Sequence, residues 1–106
     1  MDTKDYHIDF KKVDEAGGHD QLIISGMLTV ESAAEIKDRI MQVVSTFSSS
    51  LDIVVKEVTE LDLSFLQLIQ SFIYLLKAKN INFNINWIID EEQMKLLCGT
   101  GFSKYL

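Results

Sequence analysis

Two histidines, one cysteine and a run of acids are the residues whose chemistry could go beyond packing. His7 and His19 lack the i, i+4 spacing by which one helix face presents two metal ligands. The first falls in a strand-like segment and the second beside a glycine turn, so both read as surface residues. No metal site is expected. Cys98 would act as a nucleophile only with a histidine poised beside it. Its setting, Leu96-Leu97-Cys98-Gly99, is that of a small apolar residue at a helix end, and the reading is core. Asp90-Glu91-Glu92 has the look of an acid pair, yet acids at a helix start are explained by the positive end of the helix dipole. Gly17-Gly18 lacks the strand-to-helix context of a phosphate loop. No catalytic constellation forms, and neither an enzyme nor a cofactor is expected. A thiol-dependent activity at Cys98 is the enzyme-class rival.

One segment asks for more explanation: Val58-Thr59-Glu60-Leu61-Asp62-Leu63-Ser64-Phe65-Leu66-Gln67-Leu68. It joins a central strand to a helix, and in parallel α/β sheets that carboxyl edge is where function collects. A plain helix start accounts for part of it. Ser64 can cap the helix, Gln67 three residues on can reach back to complete a capping box, and Asp62 suits the dipole. That leaves Leu63 and Leu66 flanking the cap. Either they staple the helix hydrophobically, or they belong to a recognition surface. On the wheel Leu66 lies about 100° from the centre of the apolar stripe, which predicts a partly exposed leucine beside Leu63. The candidate contact patch is therefore Asp62, Leu63, Ser64, Leu66 and Gln67.

The elements that position this segment follow from hydrophobic spacing. Residues 6–13 alternate through Tyr6, Ile8 and Phe10 as a strand, residues 16–19 turn, and residues 21–25 return. Gly26 is read as the end of that strand. A helix over 31–47 keeps Ala33, Ile36, Ile40, Val43, Val44 and Phe47 on one face, with Ser32–Glu35 as a capping box and Thr29 as a competing cap. Leu51 to Val55 is a β-branched run of the kind buried in a parallel sheet. A second helix over 64–78 carries Phe65, Leu68, Ile69, Phe72, Leu75 and Leu76 as its stripe, with Leu66 and Ile73 on the shoulder. Residues 81–89 alternate as a strand, 91–98 form a short helix, and 101–106 make a last short strand or extended segment. The order β-β-α-β-α-β-α-β predicts an α/β fold: a mixed sheet, parallel beyond its hairpin, with helices mainly on one face.

Composition narrows the function classes. The 106 residues are 47% hydrophobic and 25% charged, the profile of a single globular domain over 1–106. One cysteine allows no internal disulfide, which suits a reducing compartment. The polar N-terminus and the lack of a long apolar run point to a cytoplasmic chain with no membrane insertion. A net charge of -6, with the basic residues scattered, disfavours nucleic acid and anionic membranes. The acidic balance is compatible with a protein partner that carries a basic patch, but plain solubility explains it better.

With these residues in place, the chain resembles the STAS family, which includes anti-sigma-factor antagonists. Gly26-Met27-Leu28-Thr29 matches the family's Gly-x-Leu-Thr turn, and Leu51-Asp52-Ile53-Val54-Val55 its central strand. Residues 62–66 occupy the place of the family's Asp-Ser-(Ser/Ala/Thr)-Gly-Leu turn, and Gly101-Phe102 its late Gly-(Leu/Phe) pair. The resemblance spans about residues 6–106 and implies a bacterial, non-enzymatic signalling module whose partner is an anti-sigma factor, a kinase-like protein or an ATPase. It departs at two positions: the family's phosphoacceptor serine is Leu63 here, and its glycine is Phe65. The usual phosphorylation switch therefore has no hydroxyl at its expected place, and Ser64, one residue later, is a minor candidate for a displaced one. The short run Leu66-Gln67-Leu68-Ile69 is similar to one in chemotaxis-associated members. An adaptor subunit of a chemotaxis assembly or of a lipid-transport ABC complex is thus the alternative the resemblance implies.

Overall fold

The computed structural model describes residues 6–12, 20–44 and 50–99. Its elements are β1 (Tyr6–Lys11), β2 (Asp20–Leu28), α1 (Val30–Val43), β3 (Ser50–Leu61), α2 (Leu63–Ala78), β4 (Asn82–Trp87) and α3 (Glu91–Gly99). The turn at 16–19 with Gly17, Gly18 and His19, the helix end at Phe47, and the strand at 101–106 with Gly101-Phe102 lie outside the described residues.

The sheet order is β1-β2-β3-β4, antiparallel between β1 and β2 and parallel thereafter. This is the mixed sheet that the alternation of strands and helices dictates. Along β2, and along β3 as far as Lys56, the burial alternates: Leu22, Ile24 and Leu28, then Leu51, Ile53 and Val55, are buried, and their neighbours within the strands are half-buried. Period-two burial places one set of side chains under the helices and turns the other outward. Ile36, Ile40, Phe65, Ile69, Phe72, Ile73, Leu76 and Leu97 complete the core from the helical side.

Two strands run further than their sequence suggests. Gly26 does not end β2; with φ at 94° it is accommodated at a bulge, and the strand continues to Leu28. β3 likewise extends past Val55 to Leu61, with Glu57 at φ 50° where the register to β2 shifts. Glycine enters the left-handed region without steric cost, whereas Glu57 holds it against one. Only Ser50–Val55 of β3 also pairs with β4. The rest projects beyond that strand, where the Gln93 amide of α3 donates to the Val58 carbonyl at 3.2 Å. The extension carries the chain to the first turn of α2.

Helix ends are closed locally. Thr29 takes the cap position of α1, and Ser32, not Glu35, completes it: its hydroxyl oxygen accepts from the Thr29 N–H at 3.2 Å and donates to the Met27 carbonyl at 2.6 Å. Glu35 instead accepts from the Tyr6 hydroxyl at 3.0 Å, tying β1 to α1. Burial foremost, and then this bond to a carboxylate, raise the Tyr6 pKa. α2 ends with Asn80 at φ 58°, and the Ile81 N–H reaches back to the Leu76 carbonyl at 2.9 Å. That is the Schellman arrangement, closed by the packing of Ile81 on the same core as Leu76. In α3, Asp90 and Gln93 cap reciprocally at 2.8 and 3.2 Å, so the acidic run serves the helix start as its position implies.

Candidate protein-docking site

Parallel pairing of β2 and β3 brings their carboxyl ends together, and each strand leads directly into a helix. Both helices therefore begin at the same edge of the sheet. The Asp62 N–H donates to the Leu28 carbonyl at 3.1 Å, the last rung between the two strands.

The Asp62 side chain closes both helices at once. Its Oδ1 accepts from the Phe65 N–H at 3.3 Å, and its Oδ2 accepts from the Val30 N–H at 2.9 Å. One carboxylate thus satisfies a first-turn N–H of α2 and one of α1, and lies at the positive end of both dipoles. The expected Ser64–Gln67 box is not formed. The helix starts one residue earlier, at Leu63, because aspartate in extended backbone at position 62 already supplies the acceptor. Asp62→Ala is expected to cost about 1–4 kcal/mol, since two caps each worth about 0.5–2 kcal/mol are lost together. Chemical unfolding monitored by circular dichroism measures it, with Asp62→Asn falling between the two because an amide oxygen still accepts one bond.

Holding both turns in this way presents two apolar side chains. Leu63 is 48% exposed and Val30 is 65% exposed. Ser64 is half-buried and Gln67 exposed beside them. Of the five sequence candidates, Leu63, Ser64 and Gln67 reach the surface at this edge, while Asp62 is half-buried and spent on the caps.

Leu66 is a correction. It is fully buried and belongs to the same core cluster as Trp87 and Leu97. The buried stripe of α2 is Phe65, Leu66, Ile69, Phe72, Ile73 and Leu76, rotated from the expected one, and Leu68 and Leu75 are the half-exposed pair. A wheel gives the width of an apolar stripe but not which flank a neighbour covers. The flank toward α1 stays partly open because α1 meets it with the small residues Ala33 and Ala34.

Val30 was not singled out from the sequence. Its signal is a β-branched residue right after a cap and outside the stripe set by Ile36 and Ile40. Cys98 is a second correction: it is exposed, and the core position at that end of α3 belongs to Leu97. His7 is exposed on β1. Among the described residues no group of three or more His, Cys, Asp or Glu side chains is placed to hold a metal, and no helix is long and apolar enough to cross a membrane.

No family model matches the chain, and no curated protein matches it in sequence. Solved structures do match in shape. The anti-sigma factor antagonist SpoIIAA in its unphosphorylated form superposes with a TM-score of 0.71 at 13% identity, over 93% of this chain and 84% of that one. The Bacillus cell fate determinant SpoIIAA in the phosphorylated form gives 0.64 at 13% identity, over 93% and 87%. Strand order, parallel pairing and the helices between strands thus carry the likeness, and the STAS fold implied by the sequence motifs is the fold observed.

Proposed function

We propose that the chain is a non-enzymatic regulatory module of the anti-sigma-factor-antagonist type, which docks a protein partner through the first turns of α1 and α2. The observation that carries this reading is the exposed apolar pair Leu63 and Val30, on two helix turns whose backbones one carboxylate caps, with Ser64 and Gln67 near them. Apolar side chains held rigid at a polar rim have the make-up of a binding hot spot, because little entropy is lost on association. SpoIIAA, which shares the fold, is an anti-sigma factor antagonist and occurs in phosphorylated and unphosphorylated forms. By that likeness the partner belongs to the anti-sigma-factor or kinase-like class.

Leu63 sets how such docking is controlled. It stands where the family places its acceptor serine and offers no hydroxyl, so addition of phosphate there does not release the partner. Binding is constitutive, or is governed by a change in the partner. Leu63→Asp is the test. The variant is expected to weaken binding of the purified partner roughly 30-fold or more by titration calorimetry, the loss typical of a hot-spot side chain. Its unfolding free energy should stay within about 0.5 kcal/mol of the parent, because an acid in the first turn suits the helix dipole. Unchanged affinity in a folded Leu63→Asp protein overturns the reading.

A further inference from the structure

The half-open flank between α1 and α2 continues from the docking edge as a groove. Its first part, about 290 Å³, is lined by Ala33, Ala34, Ser64, Gln67, Leu68 and Ser71, together with Lys37. Its second, about 180 Å³, keeps Lys37, Leu68 and Ser71 and adds Ile40, Met41, Phe72 and Leu75. On α2 the seam is Ser64, Leu68, Ser71 and Leu75, the i, i+4, i+7, i+11 face of one helix. On α1 the matching face is Ala34, Lys37 and Met41, with Val30 one turn before it. Met41 is 48% exposed. From Ala33 to Met41 along α1, and from Ser64 to Leu75 along α2, the groove runs about 12–16 Å. That is the length of about three helical turns.

Charge selects the occupant. Lys37 is the one charged side chain lining both parts of the groove. Among the described residues no carboxylate is paired with it. Glu35 of α1 is turned to the other side, where it binds Tyr6. A lone ammonium midway along a mostly apolar seam is complementary to a carboxylate midway along an apolar helix face. The chain as a whole is net acidic at -6 and would repel an acidic segment elsewhere, so attraction is confined to this one position.

We propose that the α1–α2 groove receives an amphipathic helix of the protein partner, about three turns long, whose apolar face carries a Glu or Asp that pairs with Lys37. This rests on the docking reading above and adds what lies beyond Leu63 and Val30. The apolar anchors at i, i+3 or i+4, and i+7 of the incoming helix would meet Met41, Leu68 and Leu75, and its acid would sit between them.

The test uses two fluorescent, stapled helical peptides with leucines at the anchor positions and either Glu or Lys at the central one. Anisotropy titration of the full chain is expected to favour the Glu peptide by about tenfold or more, the effect of exchanging an attractive for a repulsive charge contact. Lys37→Glu should invert the preference, and Lys37→Gln should abolish it. Lys37 is exposed, and both variants are expected to keep the parent unfolding midpoint. Amide shifts on titration should map to Ala33, Gln67 and Ser71. Absence of binding, equal binding of the two peptides, or a preference that survives Lys37→Glu overturns the proposal. So does self-association of the parent chain that Lys37→Glu abolishes, which would make a second copy the occupant. Peptide failure with Leu63→Asp still releasing the partner removes the groove alone, whereas a partner indifferent to Leu63→Asp removes the docking reading itself.

Discussion

Replacing Leu66 by aspartate is expected to unfold the domain outright. The side chain is fully buried in the main core cluster. Truncating a buried leucine costs about 2–5 kcal/mol by itself. Placing an unpaired carboxylate in the same site adds several kcal/mol more, through desolvation or through the protonation that avoids it. The total is comparable with the whole stability of a domain of this size, about 5–15 kcal/mol. Circular dichroism of Leu66→Asp should therefore show no cooperative transition, whereas Leu63→Asp, three residues away on the same helix, keeps its midpoint. A folded Leu66→Asp protein that had lost only partner binding would return Leu66 to the surface and refute the helix orientation.

Phe72→Ala comes next in size. Phe72 is 4% exposed and sits on the buried stripe of α2. Removing a core phenylalanine costs about 3–5 kcal/mol, a transfer term plus a cavity term. Phe72 also forms part of the floor of the α1–α2 groove. The void can then open to water instead of standing empty, which places the loss toward the low end of that range. Denaturant unfolding should show a lowered midpoint with an unchanged slope. An unchanged midpoint would mean that this face of α2 is not in the core.

The sheet and the order of its elements were legible because burial writes itself into the strands. Leu22 and Ile24, or Ile53 and Val55, alternate with less buried neighbours, and the helical spacing of Ile36 and Ile40 fixes a face. Strand lengths were less legible. Gly26 and Glu57 interrupt the pattern, and a bulge looks like an ending when only one strand is in view. The candidate site was half legible. Leu63 and Asp62 stand out by type and place, but the acceptor role of Asp62 toward Val30 joins residues far apart in the chain, which no local pattern records. Leu66 differs for a related reason: which flank of a helix is covered depends on residues distant in the chain, here the core cluster that includes Trp87 and Leu97.

The bond from the Val30 N–H to Asp62 also has a kinetic consequence. It links positions 32 residues apart. It requires β2 and β3 to be paired through their bulges and α1 to be laid over them. A contact of such sequence separation is costly in loop entropy and becomes favourable only after the intervening elements are assembled. The clamp is thus expected to lock late in folding and to release early in unfolding. Its loss in Asp62→Ala should appear in the unfolding limb of the chevron and leave the folding limb nearly unchanged, as for any interaction absent from the transition state. The surface offered to a partner is in this sense set by the unfolding barrier of the domain: the native lifetime, more than the speed of folding, determines how long Leu63 and Val30 stay presented together.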